Sequence, residues 1–118
     1  MKNLKITLAQ INPILGDLKY NTEKIIKIIE KVYPSSDLII FPELSIVGYP
    51  PEDLILRKRL LTEVNKHIEN IHNFVLTKKI SIIIGVPLKL KGGIGNAALY
   101  IRGKTKSVIY KNNLPNYG

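Results

Sequence analysis

Two hydrophobic periods alternate along this chain, and that alternation constrains its fold more than any other feature. The runs LIIF (38–41) and SIIIGVP (81–87) are continuous, short and bounded by turn residues. They are too short for helices and read as buried strands, SIIIGVP as a central one with both faces covered. Between them Leu61, Val64, Ile68, Ile71 and Val75 recur at helical spacing, which makes one apolar stripe on a helix starting near Glu52 or Asp53. Upstream, LKITLAQI (4–11) predicts a strand with Leu4, Ile6 and Leu8 on one face, and NPILGD (12–17) breaks it. A helix follows from Asn21, read as its N-cap, to Val32. Ile25, Ile28, Ile29 and Val32 form its apolar face, and Glu23 and Lys27 pair at i,i+4. Downstream, KLKGGIG is a glycine-rich turn, and NAALYIRG and TKSVIYK form a hairpin through GKT.

Strand, helix, strand, helix, strand, hairpin is an α/β order, parallel early and antiparallel late. The expected sheet is mixed, with strands near 4–10, 38–42, 81–86, 96–102 and 106–111. Helices near 20–32 and 54–78 pack on one face of it. Residues 1–118 form one domain unit. The hydrophobic hairpin runs into LPNYG with no later element to cover it, which predicts a piece of a larger domain.

Composition removes several function classes. There is no cysteine, so disulfides, thiolate metal sites and a cysteine nucleophile are excluded within these residues. No apolar run approaches the roughly 18 residues of a membrane span, and MKNLKITLAQ lacks the pattern of a secretory signal, so the expectation is a cytoplasmic protein without a membrane partner. The net charge of +9 is uneven: residues 1–70 hold 10 basic and 9 acidic side chains, residues 71–118 hold 8 basic and none acidic. A basic nucleic-acid-binding module is therefore one reading. It is disfavoured because the cations are scattered pairs without interleaved aromatics.

The candidate chemistry lies at two strand ends. Glu43 follows LIIF directly after Pro42, and functional groups of parallel α/β sheets gather at carboxyl ends of strands. From position alone it is either a general base or a helix cap. Lys111 follows SVIY in the same way, ahead of a turn whose Pro, Asn and Gly are specific. A lone strand-end lysine is ordinarily solvated surface. A base and a cation together make half of an acyl-transfer site, one accepting a proton and the other holding an oxyanion; the missing half is a nucleophile. Other candidates are weaker. KGGIGN (91–96) fits no phosphate-loop spacing, His67 and His72 lack ligand spacing, and no serine stands in G-x-S-x-G.

FPEL (41–44), the GVP strand end, NAALYI and YK followed by LPNYG together resemble the carbon–nitrogen hydrolase, or nitrilase-like, superfamily. GYPPEDLILR (48–57) and YKNNLPNYG (110–118) narrow the resemblance to the amino-terminal glutaminase domains of glutamine-dependent NAD synthetases, over residues 5–118. GYPPEDLILR argues against the alternative, another nitrilase-like amidase. The resemblance implies a partial α-β-β-α sandwich and a Cys-Glu-Lys catalytic set. Glu43 is then the general base and Lys111 the oxyanion cation, with Tyr49 and Tyr117 beside the glutamine. The cysteine lies further along in that family, so the 118 residues alone are expected to be inactive. For the full enzyme it implies glutamine as substrate, a synthetase domain in cis or trans, ATP and deamido-NAD, and a homo-oligomer; these residues themselves carry no cofactor. Strands ending at the same edge would bring Glu43 and Lys111 to about 4 Å, a salt bridge. Separation beyond about 10 Å, a Debye length, would end the shared-site expectation.

Overall fold

The computed structural model describes residues 3–14, 17–42, 54–90 and 93–113; for 54–58, 89–90, 93–95 and 110–113 it describes the backbone only. The elements in chain order are β1 (Ile6–Leu8), α1 (Leu18–Val32), a 3-10 turn (Tyr33–Ser35), β2 (Leu38–Ile40), α2 (Leu54–Val75), β3 (Ser81–Leu90), β4 (Gly93–Arg102) and β5 (Thr105–Asn113). The five strands form one sheet in sequence order. β1, β2 and β3 are parallel; β3–β4 and β4–β5 are antiparallel.

That order fixes where the helices go. Two successive crossovers step the sheet in the same direction, and crossovers of the usual right hand place both helices on the same face. Ile39, Ile82, Ile84, Val86, Leu99 and Ile101 point into that face and form one buried cluster with Ile25 and Ile29 of α1 and Val64, Ile68, Ile71 and Val75 of α2. The expected mixed sheet with two helices on one face is the observed architecture. SIIIGVP is buried at every position except the half-buried Ile83, as expected of a strand covered on both sides, whereas the other face of the sheet is open at β1. Ile6 and Leu8 are 50% and 71% exposed there, and Ile40 and Ile83 are only half-buried. Among the described residues no second layer lies over it.

Four local expectations are corrected. The N-cap of α1 is Asp17, whose Oδ1 accepts from the Tyr20 N–H at 3.1 Å. Asn21 is instead inside the helix and fully buried; its Oδ1 accepts from the Ile14 N–H at 2.7 Å and its Nδ2 donates to the Ile14 carbonyl at 2.8 Å. The side-chain amide thus pairs with both backbone groups of one residue, as a neighbouring strand would. The Glu23–Lys27 pair does not form; the ion pairs among the described residues are Lys66–Glu63 and Lys106–Glu69. The hairpin strands are longer than expected, because β3 and β4 stay paired out to Leu90 and Gly93, through most of the glycine-rich stretch. Helix α2 ends at Val75, not 78, and Glu52 and Asp53 lie outside the described residues.

Replacing Asn21 with Ala leaves the Ile14 amide and carbonyl without these partners. A loss of about 1–3 kcal/mol is expected, the scale of unsatisfied buried groups, together with faster hydrogen exchange at the Ile14 amide. An unchanged urea midpoint and exchange rate would show that the clamp holds nothing.

Candidate active site

The carboxyl ends of β1, β2 and β3 lie along one edge of the sheet because the three strands are parallel. Two backbone bonds close that edge: Ala9 N–H to the Ile40 carbonyl at 2.9 Å, and Phe41 N–H to the Ile83 carbonyl at 2.8 Å. The loop after β1 leaves from the same edge, and Asn21 ties its Ile14 to α1. Phe41, which is buried, and Pro42 are the last described residues before Glu43. Glu43, Tyr49 and Tyr117 lie outside the described residues, as does the side chain of Lys111.

The backbone at position 111 is described, and the ladder locates it. Ile40 is level with Ile83 on β3. Position 111 pairs with Ala97, which pairs with Val86, three residues further along β3. Since β5 runs in the same direction as β2, position 111 stands at the same edge as Phe41 and Pro42, about 10 Å beyond the level of Ile40 at the usual rise per residue. Laterally it is three strand spacings away, about 14 Å at about 4.8 Å each. The Glu43–Lys111 contact itself falls on side chains outside the described residues.

The β4–β5 register contains an irregularity between Ala98 and Leu99. Leu99 pairs with Val108, but Ala98 pairs with Tyr110, so Ile109 is the extra residue. The turn of this hairpin is held onto α2 at two points. The His72 ring, through Nε2, hydrogen-bonds the carbonyl of Gly103 at 2.8 Å, and Lys106 Nζ donates to Glu69 at 2.6 Å. Gly103 adopts φ +53°, a left-handed conformation that suits glycine in this tight turn. The Lys106 hydrogen bond, and then its charge, hold the Glu69 carboxyl below the usual range. A depressed carboxyl contributes stability above its unfolded pKa and loses it as pH falls through the folded one. The pair is exposed, so that contribution is small.

A hollow among the described residues lies elsewhere. It lies at the amino-terminal ends of β1, β2 and β3, opposite the edge that carries position 111. Sequence reasoning gave no hint of it, because its residues come from four separated segments. Among the described residues no three His, Asp or Glu side chains are grouped for a metal ion, and no helix is long and apolar enough to cross a membrane.

Residues 5–117 match the carbon–nitrogen hydrolase family. With the parallel core, the antiparallel hairpin and the helices on one face, the match covers nearly the whole chain, and the chain belongs to that family. Within it, the chain is similar to the glutamine-dependent NAD(+) synthetase of Aquifex aeolicus, 38% identical over 97% of the chain and 20% of that protein. It is equally similar to that of Thermotoga maritima, 38% identical over 100% of the chain and 21% of that protein. The solved glutamine-dependent NAD+ synthetase of Acinetobacter baumannii, in complex with ADP, superposes with a TM-score of 0.70 at 35% identity, over 100% of this chain and 22% of that one. An amidase from Nesterenkonia has a TM-score of 0.71 at 17% identity, covering 98% of this chain and 44% of that one, and shares the fold alone. The chain thus spans about a fifth of the length of the synthetases it matches.

Proposed function

We propose that these residues form the amino-terminal part of the glutaminase domain of a glutamine-dependent NAD synthetase. The observation that carries the reading is the similarity to such synthetases over essentially the whole chain. In this reading a cysteine thiolate, supplied by sequence outside these residues, attacks the side-chain amide carbonyl of glutamine. Glu43 takes the thiol proton and passes a proton to the departing ammonia. It then activates the water that hydrolyses the thioester to glutamate. Lys111 holds the negative charge on the carbonyl oxygen, and Tyr49 and Tyr117 flank the substrate. Ammonia is consumed by an ATP-dependent ligase domain, in cis or in trans, that amidates deamido-NAD to NAD. The setting is a cytoplasmic homo-oligomer.

The test uses the longer protein that carries these residues and a cysteine. Glu43→Gln is expected to lower ammonia release from glutamine by about 10²–10⁴-fold, the scale of general base catalysis, while amidation driven by added ammonium salts continues. Lys111→Met should also lower glutaminase activity and, with its cation removed, raise the pKa of Glu43. Glutamine turnover that survives Glu43→Gln would overturn the assigned roles.

A further inference from the structure

The hollow at the amino-terminal edge of the sheet has a volume of ≈ 1280 Å³ and is built from the start of β1, the 3-10 turn, the α2–β3 connection and the end of β4. Its charge is one-sided. Among the described residues Lys5, Lys78, Lys79 and Arg102 line it, against a single carboxylate, Asp37. That carboxylate is already engaged, with Oδ2 accepting from the Lys5 backbone N–H at 2.8 Å.

Two of the cations are held in place by other groups. Arg102 Nη1 donates to Ser81 Oγ at 3.0 Å, and that hydroxyl, on a residue only 8% exposed, also bonds the Tyr100 hydroxyl at 2.9 Å. A guanidinium has five N–H donors, so a fixed Arg102 keeps others for a ligand carboxylate. Lys78 Nζ donates to the Phe74 carbonyl at 2.8 Å and sits 3.9 Å from the Phe74 ring centroid. Lys5 and Lys79 complete the rim.

Leu4, Pro34 and Leu38 stand among these cations. Tyr33 and Tyr100 line the hollow too, but Lys78 Nζ sits 5.7 Å from the Tyr33 ring centroid and the Tyr100 hydroxyl is bonded to Ser81. The phosphate backbone of a nucleic acid laid over these cations would leave Leu4, Pro34 and Leu38 uncovered. A small phosphorylated ligand fits poorly too, since the hollow exceeds the usual small-molecule range of about 300–1,000 Å³. A polypeptide whose acidic side chains are interspersed with apolar ones satisfies both sets of groups.

We infer that this edge is a docking surface for an acidic polypeptide segment bearing apolar side chains, with Lys5, Lys79 and Arg102 receiving its carboxylates. The inference is independent of the glutaminase reading, since it involves neither Glu43 nor Lys111 and its test needs no turnover. Fluorescence anisotropy of the purified chain with a labelled Glu-rich peptide containing two leucines is expected to show saturable, salt-sensitive binding. The double variant Lys5→Glu/Lys79→Glu should weaken it at least about tenfold. The control Lys24→Glu/Lys27→Glu makes the same charge change at exposed positions of α1 and should leave affinity within about twofold, which separates the hollow from bulk charge. Because all four are exposed surface side chains, folding is not at stake. Arg102→Met, which removes the guanidinium without reversing charge, should also weaken binding. Equal loss in the control, absence of peptide binding, or tighter binding of a DNA duplex that the hollow variant also loses would each overturn the inference.

Discussion

Incubated with glutamine, the 118-residue chain by itself releases no ammonia above the uncatalysed rate. Cysteine is absent from it, and neither of its proposed catalytic groups substitutes for a thiolate. A carboxylate could at most activate water against an unstrained amide, without the covalent intermediate that divides the barrier in two. Loss of a catalytic nucleophile costs about a millionfold in the best-measured hydrolases. The same deficit is expected here relative to the longer protein, measured by coupled ammonia assay on material free of host glutaminase. Turnover that persists through further purification and is abolished by Glu43→Gln would refute the proposed division of labour.

Ile82→Ala is expected to remove a large share of the chain's folding stability, read as a much lower urea midpoint. Ile82 is fully buried in β3, the middle strand of the sheet. Removal of its three outer carbons costs about 2–5 kcal/mol, transfer and cavity terms together. A single-domain protein has only about 5–15 kcal/mol to lose. This one has one covered face among its described residues, which places it low in that range. Ile6→Ser, half-exposed on the open face, should shift the urea midpoint by the equivalent of no more than about 0.5 kcal/mol. Comparable losses for the two variants would mean that the open face is covered in solution.

The architecture was legible because its signals are local. Val64, Ile68, Ile71 and Val75 are all buried, as the stripe required, and the two helices are long enough for that signal to dominate their caps. Leu4, Ile6 and Leu8 were legible as one face, but not as an exposed one. Apolar alternation says which side chains share a face and not what covers it. Asn21 carries a cap signal in the sequence, but the same amide that caps a helix from outside can, one turn further in, clamp a loop; Asp17, four residues earlier, is the cap. The glycine-rich stretch before Asn96 was read as turn because glycine is depleted in strands. Pairing with β3 on one side and β5 on the other overrides that bias. Glu43 and Lys111 were found as motif positions. The common edge of Pro42 and position 111 follows from strand direction, which the sequence order implies. The lateral spacing of β2 and β5 is not legible there, because it depends on how many strands intervene.

The extra residue in β5 acts as a phase shifter. With unbroken pairing beyond Leu99–Val108, position 111 would stand opposite Asn96; Ile109 moves it opposite Ala97, whose side chain is buried on the helical face. One inserted residue therefore decides which residue of β4 the backbone at position 111 is paired with. The two ends of this hairpin are thereby decoupled. Near Gly103 the strands keep the phase that lets Lys106 reach α2, and beyond the insertion they take the opposite one. A deletion of Ile109 would leave the hairpin closed, the core filled and the salt bridge intact, yet invert the sidedness of every later position in the strand. Sequence drift in such a protein can therefore tolerate many substitutions around position 111 more readily than a single change in the count of residues before it.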